Sequence, residues 1–490
     1  MRRTVTILTV ILTVRGVALG QGQGQGGEQH EASVSKVVRL NRAPVSKEIL
    51  KVTLPRPTVT KLPNGLTVLV LEQHKLPTVA FNLWIKSGAM SDPQDIPGLA
   101  SFTADMLREG TSHRTSAQLA TDVDQIGASL NASAPFGSNT TTVAASGLSP
   151  NTEQIFGILS DVVLNPTFPA DELDKYKKRQ LADLEQEKSQ PSFLGREKFR
   201  QALYRDFPAA VTSATPESVE HATPELLKKF HDEYYAPNNA ILGVVGDVKS
   251  DEVVALAKKY FGAWQGHQVE HFDFEKLPPP AAYQISLVDR PGSVQTNILA
   301  GDYGARRVDP DYVALRVMNQ VVGGGPQARL FLNLREEKGY TYGAYSSVGD
   351  DNYREPWAAN TEVRTAVTDG SMHELMYEFK RIRNQQVPET ELDEARHAIV
   401  ASFALSLERP QQLLTDWLLV QDYGLPQNYW DRYPVEVAQV SPAAVQEAAK
   451  KYVDLDHLQV VCVGDAKQIK SVLEKYGPVE EYDANGKRLN

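Results

Sequence analysis

The feature that most narrows the possible folds is an internal repeat. Pro169 with Glu172-Leu173-Asp174 returns 219 residues later as Pro388 with Glu391-Leu392-Asp393, and each set opens a predicted helix. The apolar run Ala240 to Val245, closed by Gly246-Asp247, returns 218 residues later as Leu458 to Val463, closed by Gly464-Asp465. Each run reads as a buried strand ending in a turn. Ahead of them stand Thr223-Pro224 and Ser441-Pro442, where a hydroxyl caps a helix and proline takes its first position. Two matched offsets in the same order indicate a tandem duplication of a domain of about 200 residues. Length alone, 490 residues, would suggest about three domains; the repeat reduces them to two homologous halves.

Within a half, strand and helix periods interleave. Val79, Phe81, Leu83 and Ile85 alternate as in a strand, and Ile155, Ile158, Leu159, Val162 and Val163 have helical spacing. The fold class is therefore α+β. Gly262, Gly266 and Pro278-Pro279-Pro280 interrupt the pattern and mark a linker. The expected organisation is a signal peptide over 1–20, a flexible leader over 21–55, a first domain over 56–264, a linker over 265–282, a second domain over 283–478 and a tail over 479–490.

The signal peptide rests on Arg2 and Arg3, an apolar stretch from Val5 to Val14, and Ala18-Leu19-Gly20 before Gln21. Arg15 interrupts the stretch, which is too short to span a bilayer, so an uncleaved anchor is the weaker alternative. No cysteine follows, which excludes a lipid-modified N-terminus. Cleavage removes Arg2, Arg3 and Arg15 and no acid, taking the net charge from −10 to −13. An acidic exported chain does not bind nucleic acid by neutralising phosphates. The expected location is the exterior, or the periplasm of a double-membraned bacterium. The single cysteine, Cys462, excludes intrachain disulfides and thiolate clusters and reads as a small buried hydrophobe.

In the first half, the strand ending at Ile85 leads through Ser87-Gly88 and Pro97-Gly98 into Leu99 to Thr111. This stretch resembles the zinc-site helix of the insulinase, pitrilysin and mitochondrial-processing-peptidase family, in which His-x-x-Glu-His precedes Met-Leu-x-x-Gly-Thr. Met106, Leu107, Gly110 and Thr111 match that frame, as does Tyr235-x-Pro237-x-Asn239 before the strand ending at Gly246-Asp247. The resemblance covers about residues 59–476. It implies two α+β halves, each with a mixed or antiparallel sheet packed against helices, arranged as a clamshell. The positions that would hold zinc and activate water are Ser101, Ala104 and Asp105, which share one helical face. Serine is a poor zinc ligand beside imidazole, and alanine cannot accept a proton from water. The family's distal glutamate falls at Asp183, with Glu185 the weaker alignment. At most Ser101, Asp105 and Asp183 offer a weak oxygen site for a hard cation.

A literal His-x-x-Glu-His does occur, at His267-Gln268-Val269-Glu270-His271, but within the predicted linker. In extended chain its two histidines would stand about 13 Å apart, whereas zinc needs both nitrogens within about 2.1 Å. It is read as coincidence ahead of an adventitious surface metal site, and a self-sufficient peptidase using His267 and His271 ranks last. His113, His221, His231, His373 and His397 do not pair at ligand spacing and are expected at the surface. Gly323-Gly324-Gly325 lacks the Gly-Lys-Ser/Thr of a phosphate loop and reads as a turn before a helix.

The second half keeps the other element of the family. Ala328 to Lys338 reads as a helix opened by Pro326 and closed by Gly339, followed by a strand with Tyr340, Tyr342, Ala344, Ser346 and Val348 in alternation. This resembles Leu-Arg-x-x-x-Gly-x-x-Tyr, whose arginine and tyrosine hold substrate and polarise the scissile carbonyl, and the match assigns those roles to Arg335 and Tyr342. The resemblance therefore implies a non-zinc subunit of a heterodimeric zinc peptidase. No cofactor is expected on this chain; zinc is expected in a homologous partner bearing His-x-x-Glu-His, and the substrates are peptides or unfolded segments. The alternative is a catalytically inactive structural or peptide-binding relative.

Overall fold

The apolar alternations form two six-stranded sheets. The computed structural model describes residues 51–489; the segment read as a signal peptide, 1–20, and the leader up to residue 50 lie outside the described residues. The first half runs β1 (Thr58–Lys61), β2 (Thr67–Glu72), β3 (Thr78–Ile85), α1 (Leu99–Met106), α2 (Ser116–Gln125), β4 (Ser129–Ser133), β5 (Thr141–Leu148), α3 (Thr152–Leu164), α4 (Ala170–Lys188), α5 (Pro191–Tyr204), α6 (Pro216–His221), α7 (Pro224–Tyr234), β6 (Ala240–Gly246) and α8 (Ser250–Phe261). The second runs β7 (Gln284–Asp289), β8 (Gln295–Tyr303), α9 (Tyr312–Val322), α10 (Arg329–Phe331), β9 (Thr341–Val348), β10 (Pro356–Arg364), α11 (Thr368–Asn384), α12 (Glu389–Ser406), α13 (Pro410–Asp422), α14 (Tyr429–Gln439), α15 (Pro442–Tyr452), β11 (Gln459–Gly464), α16 (Ala466–Leu473) and β12 (Val479–Tyr482).

From β2 and β7 onward the two halves correspond element for element. Strand order is β1-β2-β6-β3-β5-β4 in one sheet and β12-β7-β11-β8-β10-β9 in the other. In each, the repeated apolar strand sits centrally: β6 pairs parallel to β2 and antiparallel to β3, as β11 pairs parallel to β7 and antiparallel to β8. The predicted caps form. Thr223 Oγ1 accepts from the Leu226 amide at 3.3 Å and Ser441 Oγ from the Ala444 amide at 3.1 Å. Cys462 is buried in β11, and burial pushes its thiol up to about 12.

The halves hold each other by crossing one helix each. Phe193, Leu194, Leu203 and Tyr204 of α5, a first-half helix, share a core with Val288, Val461 and Val463 of the second sheet. Leu413, Leu414, Trp417 and Leu418 of α13 pack with Leu69, Leu71, Ile241 and Val245 of the first sheet. Glycine permits close approach on both sides. A Cβ on Gly243 would stand 2.9 Å from Leu414 Cδ1, and one on Gly195 2.7 Å from Asn297 Oδ1.

A tongue joining β9 to β10, residues 349–355, also enters the first half. The buried Tyr353 hydroxyl accepts from Arg200 Nη2 at 2.9 Å and donates to the Gly137 carbonyl at 3.0 Å. Asn139 Nδ2 donates to Asn352 Oδ1 at 3.1 Å. In the same tongue, Asp350 pairs with Arg307 at 2.7 Å, while Asp351 accepts neutral hydrogen bonds from the Asn352 amide at 2.6 Å and the Tyr423 hydroxyl at 3.3 Å. Burial, reinforced by the charges of Glu355 and Asp350, raises the Asp351 carboxyl from its ordinary 3.8 to about 7. Between those two values the folded chain keeps a proton that the unfolded chain has released, so this group makes stability fall as pH rises, levelling off above about 7. Asp351→Asn is therefore expected to flatten the decline in Tm between about pH 5 and 8 by roughly 1–3 °C. Scanning calorimetry across that range checks it.

Two expected boundaries move. The segment read as a tail supplies β12, an edge strand parallel to β7, because Val479–Tyr482 meets the open side of β7. The flexible leader ends before 56: Leu54 is buried, and its amide donates to Asp431 Oδ1 at 3.0 Å. The linker is stapled by aromatic contacts, Phe272 on Phe207 at 5.2 Å and Phe274 stacked on Tyr353 at 5.8 Å. Among the described residues, no helix is long and apolar enough to cross a membrane.

Candidate functional site

The helix α1 starts at Gly98, whose φ of +99° suits glycine. Asp92 substitutes for a capping side chain: its carboxylate accepts from the Gly98 and Ala100 amides, both at 2.7 Å. Burial raises that carboxyl to about 7 against the pull of both amides. Leu99, Ala100, Phe102 and Met106 are buried and fix the rotation of the helix. That rotation sets the surroundings of the three positions expected to resemble a metal site. Ser101 Oγ donates to the Ala134 carbonyl. Ala104 is 0% exposed. Asp105 Oδ2 accepts from the Tyr176 hydroxyl at 2.7 Å, and the Tyr176 ring meets Phe102 edge-on at 5.8 Å. Burial raises the Asp105 carboxyl, and the Tyr176 hydroxyl and Arg108 offset this only in part.

The helix that should carry the distal ligand, α4, does pass this face, but it presents Tyr176. Asp183 lies exposed further along α4, its charge felt at the Tyr176 phenol. One hydroxyl committed to a carbonyl, one methyl group and one carboxyl committed to a phenol do not make a donor set that zinc would take. Among the described residues, no group of three or more His, Cys, Asp and Glu side chains is placed to hold a metal ion. Tyr176 was not anticipated; the sequence signal was an aromatic on the buried stripe of α4, between Leu173 and Leu184.

The literal motif at 267–271 lies in non-helical chain, as its context suggested. His267 Nε2 donates to the Glu233 carbonyl at 2.9 Å, while its backbone exchanges hydrogen bonds with the Asn238 amide group at 3.2 and 2.8 Å. His271 instead borders a cavity of about 230 Å³ with Lys86, Asn139, Asn352 and Asp422, so the two imidazoles serve different surroundings. His231 departs from the surface expectation. It is buried, with Nε2 donating to the Val163 carbonyl at 2.8 Å, and burial lowers its pKa.

In the second half, Ala328 to Lys338 is not one α-helix. After α10 the chain widens into a π-helical turn, Leu332–Glu337, in which the Lys338 amide reaches back to the Asn333 carbonyl at 3.0 Å. Carboxylates hold its inner side, with Glu374 and Glu378 buried and Glu391 half-buried. Arg329 makes a bidentate pair with Glu391 at 2.7 and 2.9 Å, and Asn333 Nδ2 donates to Glu374 at 2.9 Å and Glu378 at 3.0 Å. With that side pinned, Arg335 faces outward. Its guanidinium lies 4.7 Å from the Phe331 ring centroid and donates to Glu336 at 3.0 Å. Gly339, at φ +63°, then reverses the chain into β9. The triglycine closes α9 and leads toward α10, and a Cβ on Gly323 would meet the Ser346 amide at 2.4 Å.

A register shift between β9 and β10, at Thr361 and Val363, turns Tyr342 outward. Tyr342 is 91% exposed and borders a cavity of about 800 Å³. Arg335 is not among the residues lining that cavity. The structure thus places Arg335 and Tyr342 on either side of one turn, both outward, with Arg335 already donating to Glu336. Chemically, two such donors suit an oxyanion or a peptide carbonyl.

Comparison with known proteins agrees with a duplicated two-sheet peptidase-like chain. Residues 67–217 match the family described as insulinase (peptidase family M16), and residues 221–399 match the peptidase M16 inactive domain. The chain belongs to the insulinase family, M16. An uncharacterized zinc protease of Rickettsia felis is 29% identical over 299 residues, covering 60% of this chain and 71% of that one. A probable mitochondrial-processing peptidase subunit beta of Arabidopsis thaliana is 23% identical over 436 residues, covering 85% of this chain and 80% of that one. The solved peptidase M16 inactive domain from Pseudomonas fluorescens superposes with a TM-score of 0.76 at 26% identity, covering 84% of this chain and 98% of its own. A Helicobacter pylori protease reaches the same TM-score at 20% identity, covering 84% of this chain and 100% of its own, a likeness of fold.

Proposed function

We propose that this chain is the exported, non-zinc subunit of a heterodimeric zinc metallopeptidase. The observation that carries the reading is the asymmetry between its halves. The first half offers Ala104, fully buried, and Asp105, engaged by Tyr176, where a metal and a base would be needed. The second half holds Arg335 and Tyr342 outward on a pinned turn. In this reading a homologous partner supplies His-x-x-Glu-His and the zinc, and hydrolysis of the peptide bond occurs there. This chain binds the peptide, and Arg335 and Tyr342 donate to the scissile carbonyl as charge builds on its oxygen.

The test is reconstitution. The purified chain alone should not hydrolyse a fluorogenic peptide, and adding a homologue with His-x-x-Glu-His should produce both a heterodimer by size-exclusion chromatography and activity above that of the homologue alone. Hydrolysis by this chain by itself, abolished by His271→Ala, would overturn the proposal. The match of residues 221–399 to an inactive domain favours a second reading, a structural or peptide-binding relative, which would give a complex without added activity.

A further inference from the structure

We propose that the cavity lined by Tyr342 is a side-chain subsite for a bulky apolar residue of an extended peptide, with Val294 as its specificity-determining wall. This rests on the reading of Tyr342 as a substrate contact and adds which residue of the peptide is selected. The observation is one of exposure. Tyr342 at 91% and Val294 at 79% are the most exposed of the large hydrophobic side chains among the described residues, and both line the same cavity of about 800 Å³. Scattered exposed apolar side chains are ordinary, but two converging on one concavity mark a binding surface.

Neither side chain is exposed through a loose backbone. Val294 stands on the turn between β7 and β8, where Gly292 adopts a φ of +78° and its amide donates to Asp465 Oδ2 at 3.2 Å. The Val294 carbonyl accepts from the Thr365 amide at 3.0 Å, and the Ser293 carbonyl from Thr365 Oγ1 at 3.1 Å. Around Tyr342, Thr341 Oγ1 donates to the Glu362 carbonyl at 2.6 Å, and Thr361 Oγ1 to the Gly343 carbonyl at 3.0 Å. Hydrogen bonds thus fix the backbone that carries two apolar groups into water, and a ligand that covers both meets little backbone-ordering cost.

The remaining lining, which includes Ser293, Gln295, Thr341 and Thr365, is mostly polar but selects no charge, so the preference for an apolar occupant comes from Val294 and Tyr342 themselves. Glu362 and Arg364 lie on the same face of β10 with opposite charges, and Gln468 is neutral, so the cavity favours neither sign. A leucine or phenylalanine side chain between Val294 and Tyr342 would remove apolar surface on both sides of the contact from water.

The experiment uses the full chain and labelled decapeptides of Gly and Ser that carry Leu, Phe, Ser or Asp at one central position, with binding read by fluorescence anisotropy. The Leu and Phe probes should bind roughly 5–10 times tighter than the Ser and Asp probes. Val294→Ser should reduce that ratio to within about twofold, while Arg335→Ala should weaken all four probes alike. Val294 is exposed, so the variant is expected to fold normally, which its Tm verifies. A ratio unchanged in Val294→Ser, with binding still dependent on Arg335, overturns the subsite alone. Binding indifferent to both Arg335 and Tyr342, or absent for every probe, overturns the proposed function along with it.

Discussion

Arg335→Ala is expected to lower kcat/KM of the reconstituted peptidase by roughly 10²–10³ without changing the Tm of this chain, with Tyr342→Phe acting in the same direction. The size follows from the loss of one donor to a developing oxyanion. The unchanged stability follows from how little the fold uses these groups. The ion pair of Arg335 with Glu336 is exposed, and pairs of that kind are worth about 0–1 kcal/mol. Tyr342 buries almost nothing. Steady-state kinetics on a fluorogenic peptide, beside calorimetry of the same variants, separates the two effects. Activity left intact by both substitutions would remove the assigned role, and a large fall in Tm would make it a structural one.

The largest effect on stability is expected at Trp417→Ala, about 3–5 kcal/mol. Trp417 is buried on α13, where it helps close the first sheet from the second half, and the Arg56 guanidinium lies 5.0 Å from its ring centroid. Arg56 in turn reaches Asp431, whose other oxygen holds the Leu54 amide. Truncation therefore leaves a void between the halves and loosens the beginning of the described chain. Because each sheet depends on a helix from the other half, both should unfold in one denaturant transition at a lower midpoint. Two transitions, one at the wild-type midpoint, would show that the halves are stable independently.

The legible parts of the sequence were those set by local chemistry. The caps at Thr223 and Ser441, the buried strands closed by Gly246-Asp247 and Gly464-Asp465, and the reversal at Gly339 are each determined within a few residues, and all appear where expected. What the sequence left open depends on partners far along the chain. Helical period shows that α5 and α13 each have a buried face, but not that the face lies on the opposite sheet. The π-helical turn is pinned by Glu374 and Glu378, some forty residues beyond Asn333. Asp105 was identified as a site position, yet its actual partner, Tyr176, lies 71 residues away on a helix that periodicity cannot orient. β12 was missed because Glu480 and Glu481 mask the alternation of a short strand at a sheet edge.

The crossed helices also bear on how such a chain can arise. An isolated half would present a bare sheet face to water and a helix with nothing to cover, but two copies could satisfy each other in the manner of a domain-swapped homodimer. Joined end to end, they become a pseudo-symmetric monomer whose linker supplies proximity rather than cohesion. Once both copies lie on one polypeptide, their sequences are free to diverge. One can keep a pinned, outward turn while the other commits the face of α1 to packing, and the shared scaffold survives because each copy still encloses the other's core.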